Sequence, residues 1–386
     1  MTLPLGNVSE ETDERFMREA LSLAALGEGR VEPNPMVGCV VVHDGVTVGR
    51  GYHRRFGGPH AEIEALRSLD SPAQARGATA YVTLEPCCHH GKTPPCSRAL
   101  VDAGVARVVV AMSDPFPSVD GGGLREIQEA GIDTTVGVMR EAAESLNAPY
   151  RKRVLTGRPW VIAKWAMTID GRISTAGGKS QWITGPASRA EVHRLRSRVD
   201  VVAVGMGTVA ADDPALTARS DDPSFQPLRV ATRAVFCRHR VPDLNSNLVR
   251  SVSEVPLTLV VGPEITAEHR DAMRAAGVRL LETESSESQQ MVTTALAAWG
   301  EGGMTNLMVE GGAELLASFF SAHEVDECHV YIGAKAFGGQ SAKGPIGGPG
   351  VIEIQDAWAF DLISMQQLES DILAIYRRPE RRDLAR

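Results

Sequence analysis

The chain has 386 residues, a formal net charge of −8, 43% hydrophobic residues and 23% charged residues. Its length exceeds one ordinary hydrophobic core and predicts two domains of a globular protein. The acidic balance argues against a nucleic-acid partner, and neither a membrane-spanning apolar run nor a signal-peptide pattern is present. We therefore expect a cytoplasmic protein, in which six cysteines indicate a metal site or catalysis rather than disulfides.

Strand and helix signals alternate through the first part of the chain. An amphipathic helix is predicted over Glu11 to Gly27, and two strands follow that are joined by Asp44-Gly45, a strong hairpin signal. Further helix and strand segments predict a mixed sheet covered on both faces. The pattern breaks between Leu146 and Pro159, so we place a linker there and divide the chain into domains at 1–150 and 151–386.

The second half begins with PWVIAKWAMTIDGRIS, which predicts a strand, an Asp-Gly turn and a second strand. A helix over PASRAEVHRLR and a strand over DVVAVGM precede the irregular stretch ADDPALTARSDDPSFQP. Later strands include LTLVVG, TNLMVE, EVDECHVYIGAK and SDILAIYRR. This half is therefore predicted to be a second α/β domain with several closing strands.

Gly205 to Ala210 formally matches the dinucleotide-binding pattern G-x-G-x-x-G/A. That fingerprint requires a helix to begin at the turn, whereas Ala211 to Pro214 contains a proline and paired aspartates, which favour a loop. We therefore expect these glycines to let the backbone approach a ligand without forming a Rossmann domain.

The stretch EPCCHHGKTPPC, Glu85 to Cys96, concentrates cysteines and histidines. With the upstream His60-Ala61-Glu62 and a proline before both Cys87 and Cys96, it approximates the zinc nucleobase-deaminase signature, in which the glutamate is not a ligand. The spacing is C-x8-C rather than C-x2-C. The alternatives are buried thiols at the two cysteines and, at Glu62, a carboxylate that only stabilises a helix N-terminus.

Three segments resemble the deaminase half of the bifunctional riboflavin-biosynthesis deaminase/reductase family: PNPMVGCVVV, GRGYHRRFGGPHAEIEALR and YVTLEPCCHHGKTPPCSRALVDAGVARVVVAMSDP. In that family C-x8-C is the usual spacing. The resemblance implies a cytidine-deaminase-like three-layer α/β/α domain. It also implies that His60, Cys87 and Cys96 hold one zinc ion. Glu62 would be the catalytic residue that moves a proton from water to a ring nitrogen and then to departing ammonia.

Four further residues lie near this predicted site. Cys88 stands where the family commonly has serine, so it is not expected to be a ligand. His89 and His90 would line the substrate pocket or brace the loop. Asn34, between two prolines, would contact the ring or the ribose, or would only accommodate the turn.

The segments KWAMTIDGRIS, SQWITGPASRAEVHRLRS, ADDPALTAR and LMVEGGAELLASFF resemble the reductase half of the same family. The resemblance implies a dihydrofolate-reductase-like α/β domain that uses NADPH. Mapped by motif, the cofactor contacts are Ala166, Trp182, Thr208, Asp212, Gly312, Ala313, Glu314, Leu315, Leu316, Ala317 and Ser318. The substrate contacts are Ser180, Arg196, Leu216, Arg219 and Glu310. Lys164 would hydrogen-bond the open-chain sugar, and arginine suits a ribose phosphate because it is a permanently charged bidentate donor.

The stretch VATRAVFCRHRVP, 230–242, departs from the family pattern. The family usually has here a strand that ends in an aspartate or a small polar residue near the NADPH phosphates. In this chain Arg233, Arg238, His239 and Arg240 stand nearby instead. Basic residues there would favour the 2′-phosphate of NADPH, but we assign no cofactor contact to this stretch.

The resemblance thus implies a two-domain enzyme and a homo-oligomer built on the reductase half. The enzyme would deaminate 2,5-diamino-6-ribosylamino-4(3H)-pyrimidinone 5′-phosphate and then reduce its ribosyl chain to ribityl with NADPH. Two other functions stay open from the residues alone. A tRNA adenosine deaminase shares HAEI-x-ALR and the zinc site, although C-x8-C, the acidic balance and the second half oppose it. A non-catalytic zinc module would close the metal with His89 or His90 as a fourth ligand.

Overall fold

The computed structural model describes residues 8–88, 95–116, 119, 121–220 and 225–379. The chain forms two compact units, Met1–Thr156 and Gly157–Arg386. Within the described ranges no helix combines the length and apolar character needed to cross a lipid bilayer.

The first unit contains a five-stranded mixed sheet. Its strands are β1 Gly38–His43, β2 Val46–Tyr52, β3 Thr79–Val82, β4 Arg107–Val110 and β5 Asp133–Val136. Its helices are α1 Val8–Ala24, α2 Ala61–Arg67, α3 Cys96–Ala103, α4 Gly122–Glu129, α5 Arg140–Leu146 and α6 Ala148–Thr156, with short 3₁₀ helices at Ala25–Gly27 and Pro72–Ala75. The strand order is β2-β1-β3-β4-β5, and β1 is antiparallel to both neighbours while β3, β4 and β5 are parallel.

Alternate residues of the central strands separate two cores. In β1, Cys39 and Val41 pack with α2, α3 and α4, whereas Val40 and Val42 pack with α1 and α5. This alternation is the period of two of a strand buried on both faces. The predicted mixed sheet with helices on both faces is confirmed.

The predicted hairpin between β1 and β2 is also present. Asp44 and Gly45 both have positive φ, 49° and 76°, as a two-residue turn with the right-handed strand twist requires. Two glycines then let helices approach these strands closely. A Cβ on Gly38 would lie 2.0 Å from the Ala20 carbonyl oxygen, and one on Gly51 would lie 2.2 Å from the Ala65 nitrogen.

The stretch predicted to be a linker is largely helical. Helices α5 and α6 extend to Thr156, and the backbone changes direction at Gly157, where φ is 70°. Pro149 is the second residue of α6, in the first turn, where proline costs no intrahelical hydrogen bond. The expectation of irregular structure from Leu146 was therefore wrong, because a proline and polar residues were taken as turn signals, whereas the division between the two compact units does lie within this stretch.

The second unit contains a nine-stranded sheet with helices on both faces. Its strands are β6 Trp160–Thr168, β7 Val201–Gly205, β8 Thr232–Cys237, β9 Leu257–Val261, β10 Arg279–Glu282, β11 Asn306–Glu310, β12 Glu327–Gly333, β13 Asp361–Leu368 and β14 Asp371–Arg377. Its helices are α7 Pro186–Arg196, α8 Met206–Asp212, α9 Asn247–Arg250, α10 Ala267–Ala275, α11 Ser288–Glu301 and α12 Ala313–Ser321, with a 3₁₀ helix at Ile354–Asp356. The strand order is β10-β9-β8-β7-β11-β6-β12-β14-β13, and only the pairs that include β14 are antiparallel.

The two cores of this unit are again separated by alternate strand residues. Val161 and Ala163 of β6 pack with α11 and α12, whereas Ile162 packs on the other face with α7, α9 and α10. The prediction of a second α/β domain is confirmed.

The predicted hairpin at the start of the second half is absent from the described residues. The Asp170-Gly171 turn forms, with the Gly171 amide donating to the Thr168 carbonyl oxygen at 2.9 Å, but residues 172–185 contain no strand. Both edges of β6 are already hydrogen-bonded to the parallel strands β11 and β12. The hairpin prediction failed because a central strand has no free edge for an antiparallel partner.

A short helix begins at the end of β7, although the loop signals in Ala211 to Pro214 had argued against a helix there. Helix α8 starts at Met206, immediately after β7, and ends at Asp212, whereas Asp213 has a φ of 38°. The sequence argument that no helix follows Gly205 was therefore wrong. The aspartates and the proline end this helix after seven residues instead of preventing it.

Arg233 in the divergent stretch is a core residue. Its side chain is completely buried in β8 and donates to Ser251 Oγ at 2.7 Å, and to the carbonyl oxygens of Leu248, Ser251 and Val255. This guanidinium cannot reach a cofactor phosphate. Arg238, His239 and Arg240 follow β8 and are exposed, and His239 is paired with Glu264.

We predict that Arg233→Met destabilises the chain by roughly 3 kcal/mol, because several buried carbonyl oxygens lose their donor. Urea unfolding of the full chain measures this loss. The control Arg238→Met changes an exposed arginine of the same stretch and should alter the unfolding free energy by less than about 0.5 kcal/mol. Equal effects of the two substitutions would contradict the structural role of Arg233.

Candidate active sites

Three elements bring the predicted metal ligands together. His60 precedes the first residue of α2, Cys87 follows β3, and Cys96 is the first residue of α3. His60 Nδ1 lies 3.5 Å from Cys87 Sγ and 3.3 Å from Cys96 Sγ, and the three ligand atoms lie within 4.8 Å of one another. Among the described residues no other group of three such side chains converges in this way.

The donor set fits zinc, which binds imidazole nitrogen and thiolate sulfur and, in catalytic sites, takes three protein ligands. Hydrogen bonding from the Cys96 thiol, followed by that of His60, lowers the pKa of Cys87 to about 4. The same interaction with Cys87, together with burial, raises the pKa of the Cys96 thiol. Of the two thiols, Cys87 thus ionises more readily, and a cation would stabilise its thiolate.

Cys88 lies apart from this cluster. It is not among the three converging ligands, and a Cβ built on Gly122 would lie 2.6 Å from its Sγ, which shows that the thiol packs against the start of α4. His89 and His90 lie outside the described residues.

Glu62 is buried in the first turn of α2, two positions after the predicted ligand His60. Its exposed fraction is 3%, and burial, followed by the nearby Cys87 sulfur, raises the pKa of its carboxyl to about 7. A carboxyl with a pKa near neutrality both accepts and releases a proton at working pH, which is the property required of a general acid and base.

The cluster and Glu62 open into a cavity of about 330 Å³. Its lining residues include Pro33, Asn34, Pro35, Val37, His53, Phe56, Leu84, Glu85, Asp114, Phe116, Val119, Tyr150 and Arg153. This volume falls in the range of small-molecule sites. The structure therefore brings Asn34, His60, Glu62 and Cys87 into one pocket, with Cys96 Sγ behind it at 3.3 Å from His60 Nδ1.

His53, which the sequence analysis did not single out, fixes the orientation of Asn34. Burial lowers the pKa of His53, so the ring is neutral. Its Nδ1 must donate to the Pro59 carbonyl oxygen at 2.9 Å, and its Nε2 therefore accepts from Asn34 Nδ2 at 3.2 Å. The Asn34 amide oxygen is left available to a ligand in the cavity.

Asp114 and Tyr150 form a second polar pair that the sequence analysis missed. Tyr150 Oη donates to Asp114 Oδ1 at 2.8 Å, and the Phe116 amide donates to the same oxygen at 3.0 Å. Burial raises the pKa of Asp114. Tyr150 belongs to α6, which had been interpreted as a linker, so no sequence signal pointed to it.

In the second unit, the predicted substrate contacts Arg196 and Glu310 bind each other. Arg196 Nη2 donates to Glu310 Oε2 at 2.7 Å, its Nε donates to the other carboxylate oxygen, and Lys164 Nζ lies 3.9 Å away from Oε2. Despite burial, Arg196 and then Lys164 lower the pKa of Glu310 to about 2. Burial, followed by Arg196 and Arg219, lowers the pKa of the adjacent His193 to about 4.

Helix α8 and the glycine pair after β11 meet beside this network. A Cβ on Gly312, whose φ is 77°, would lie 3.1 Å from Thr208 Oγ1 of α8. Asp212 accepts from the Gln181 side chain at 3.4 Å, and the adjacent Trp182 is 58% exposed beneath the Arg189 guanidinium. Predicted cofactor residues from three segments therefore surround the carboxyl ends of neighbouring strands.

Other predicted residues of this half contribute in different ways. The side chains of Leu315, Leu316 and Ala317 are packed in the core, so contacts at these positions would come from the backbone. Leu216 is also buried, with a φ of 55°. Ala166 of β6 is partly buried beside Tyr331, Ser180 is half-buried, and Arg219 is exposed. Glu314 and Ser318 lie on α12, where Ser318 Oγ donates to the Glu314 carbonyl oxygen.

Each half of the chain matches a known protein family. The cytidine and deoxycytidylate deaminase zinc-binding region matches residues 10–112, and the RibD C-terminal domain matches residues 159–374. The riboflavin biosynthesis protein RibD of Escherichia coli K12 is 40% identical over 93% of this chain and 98% of its own length. That of Actinobacillus pleuropneumoniae is 38% identical over 97% of each chain.

Two solved structures match over both units. RibD of Acinetobacter baumannii has 34% identity and a TM-score of 0.82, covering 96% of this chain and 100% of its own. A diaminohydroxyphosphoribosylaminopyrimidine deaminase/5-amino-6-(5-phosphoribosylamino)uracil reductase of Thermotoga maritima has 31% identity, a TM-score of 0.82 and the same coverage. The expected cytidine-deaminase-like and dihydrofolate-reductase-like folds are confirmed.

We predict that the chain binds about one zinc ion and that Cys87→Ser loses it, because a catalytic site has only three protein ligands. The adjacent Cys88→Ser is the matched control and should retain both zinc and deamination. Zinc content of the purified variants measures the difference. Loss of zinc from Cys88→Ser to the same extent would show that the ligand set is wrong.

Proposed function

The chain belongs to the RibD family of bifunctional riboflavin-biosynthesis enzymes, and we propose which of its residues carry each of the two reactions. It is a zinc-dependent deaminase of 2,5-diamino-6-ribosylamino-4(3H)-pyrimidinone 5′-phosphate and an NADPH-dependent reductase of the ribosyl side chain. We assign the deaminase to the first compact unit, which ends at Thr156 rather than at residue 150, and the reductase to the second.

Deamination is carried by the buried Glu62 beside the metal ligands. Zinc held by His60, Cys87 and Cys96 would supply an activated water at neutral pH. Glu62 accepts a proton from the water as its oxygen attacks the amino-bearing ring carbon, and passes that proton to a ring nitrogen. It then takes the remaining proton from the hydroxyl of the adduct and delivers it to the amino group, which leaves as ammonia as the ring carbonyl forms.

The pocket residues orient the pyrimidine for this step. The oxygen of Asn34, left available by its bond to His53, accepts from a ring N–H or amino group. Asp114, held by Tyr150 and a backbone amide, presents a second acceptor across the cavity. Fixed hydrogen-bonding groups of this kind lower the entropy cost of holding the reacting carbon in place.

Reduction is assigned to the charged network at the carboxyl ends of β6, β7 and β11. NADPH supplies the hydride when bound. Lys164, whose pKa is lowered by burial, would donate a hydrogen bond to the open-chain sugar, and Glu310 holds it in place. The guanidinium of Arg196 already binds Glu310, whereas that of Arg219 is exposed. Arg219 is therefore the better candidate to bind the substrate phosphate.

The two other functions considered from the sequence, a non-catalytic zinc module and a tRNA adenosine deaminase, predict different results in an activity assay. A non-catalytic zinc module has no use for a buried carboxyl that is not a ligand and that lines a cavity beside the metal residues, and the position of Glu62 therefore favours catalysis. Incubation with the diaminopyrimidine phosphate and NADPH, following ammonia and NADPH together, tests the assignment. Ammonia release from a tRNA substrate alone would support the adenosine deaminase instead.

We further propose that the protein is a cytoplasmic homo-oligomer built on the reductase unit. The edge strand β13 carries exposed Leu362, Ile363 and Met365, an arrangement that association with a second copy would bury. Six free thiols fit a reducing compartment. Sedimentation of the full chain and fractionation of the source cells measure the two properties.

We predict that Glu62→Gln keeps zinc but slows deamination roughly 10²–10⁴-fold, because an amide cannot carry the proton. Glu64→Gln, on the same helix but ion-paired with Arg54 at the surface, is the matched control and should remain active. Ammonia release is the measurement, and reduction of pre-deaminated substrate should be unchanged in both variants. Wild-type turnover by Glu62→Gln would exclude the proposed proton transfer.

We predict that Arg219→Ala and Arg196→Ala both weaken substrate binding by the reductase but differ in their effect on thermal stability. Arg219→Ala should raise the reductase KM roughly ten- to a hundredfold through loss of a charge-assisted contact, with unchanged thermal stability. Arg196→Ala should also lower the Tm, because Glu310 loses its main partner while buried. Steady-state kinetics, NADPH titration and thermal unfolding distinguish them. Weaker NADPH binding with an unchanged substrate KM in Arg219→Ala would reverse the assignment.

A further inference from the structure

The described lining of the deaminase cavity contains three carboxyl groups but a single permanently charged cation. Glu62, Glu85 and Asp114 line it, whereas Arg153 is the one permanently charged cation among the described lining residues. Its substrate carries a phosphate dianion, which buried carboxylates repel. The substrate therefore needs a cation at the cavity lining to offset that repulsion.

The three acids do not bind Arg153. Glu85 accepts from the backbone amides of Asp114 and Leu124, each at 3.4 Å, and Asp114 accepts from Tyr150 and the Phe116 amide. In the part of the chain that the structure describes, no carboxylate forms an ion pair with Arg153. Its charge is thus available to an anion that enters the cavity.

The position of Arg153 is set by helix α6. It follows Tyr150 by three residues, which places both side chains on the same face of the helix. Arg153 Nη2 reaches the Pro33 carbonyl oxygen only at 3.5 Å, and its Nε is buried without a hydrogen-bond partner among the described residues. A buried guanidinium N–H without a partner is costly, so a ligand oxygen at this position would be stabilised.

We propose that Arg153 binds the 5′-phosphate of the deaminase substrate and makes this unit selective for the phosphorylated compound. The inference rests on the proposed deaminase function. A planar guanidinium with free N–H groups matches two phosphate oxygens, and a partly buried position strengthens the interaction. The pyrimidine then lies at Glu62 and Asn34, while the ribose phosphate extends toward α6.

The test compares the phosphorylated substrate with its dephosphorylated riboside. In Arg153→Met, kcat/KM for ammonia release from the phosphorylated substrate should fall roughly ten- to a hundredfold, mostly through KM. The value for the riboside should not change, because that compound has no phosphate to lose. The riboside is also measured as a competitive inhibitor, so that slow turnover still reports its affinity. Arg153→Lys should recover part of the loss.

The neighbouring Lys152→Met is the matched control, since Lys152 is on the same helix but does not line the cavity. Zinc content and reduction of pre-deaminated substrate report the folding of each unit. An equal loss for both substrates, or no loss for either, would overturn the proposal and leave Arg153 as a brace of the Pro33 turn. A wild-type chain that releases no ammonia from either compound would instead overturn the deaminase function itself.

Discussion

Both active sites depend on one geometric constraint: strand ends that lie at the same edge of a sheet. In the first unit, β1 runs opposite to β2, β3 and β4. Asn34 before β1 therefore lies at the same edge as His53 after β2, Cys87 after β3 and Asp114 after β4. In the second unit, the parallel strands β7 and β11 end beside each other, with Thr208 in helix α8 directly after β7 and Gly312 between β11 and α12. Such edges are the usual binding sites of α/β proteins.

The two buried glutamates show how the same side chain acquires opposite properties. Glu62 has no arginine partner among the described residues, and burial raises the pKa of its carboxyl to about 7. Glu310 is equally enclosed, yet Arg196 lowers the pKa of its carboxyl to about 2. A buried carboxyl without a cationic partner is thus harder to ionise, whereas one paired with an arginine stays an anion.

The sequence predicted the elements that carry strong local signals. The Asp44-Gly45 hairpin, the amphipathic first helix and the general α/β character of both halves needed no tertiary information. Local sequence patterns gave wrong predictions where contacts with distant segments determine the secondary structure. The second strand after β6 is absent because both edges of β6 are occupied, and strand β13, whose side chains are mostly exposed, has no clear alternation.

In the deaminase site, the sequence predicted the metal-binding motif but not the residues that line the rest of the cavity. The spacing of His60, Glu62, Cys87 and Cys96 predicted a metal centre, and the structure places these side chains together. His53 and Asp114 gave no signal because a lone histidine or aspartate near a strand end is common. Tyr150 and Arg153 were missed because the helix that carries them contains a proline and polar residues, and its function depends on a cavity formed by distant segments.

The hydrogen bond between His53 and the Pro59 carbonyl oxygen connects the predicted metal site and the predicted pyrimidine contact through one peptide unit. The carbonyl that fixes the His53 tautomer belongs to the residue immediately before the predicted ligand His60. A movement of this peptide unit would therefore shift both the backbone at His60 and, through two hydrogen bonds, the Asn34 amide. If zinc binding moves it, zinc affinity and pyrimidine affinity are linked, and by reciprocity each ligand then changes the affinity for the other by the same factor.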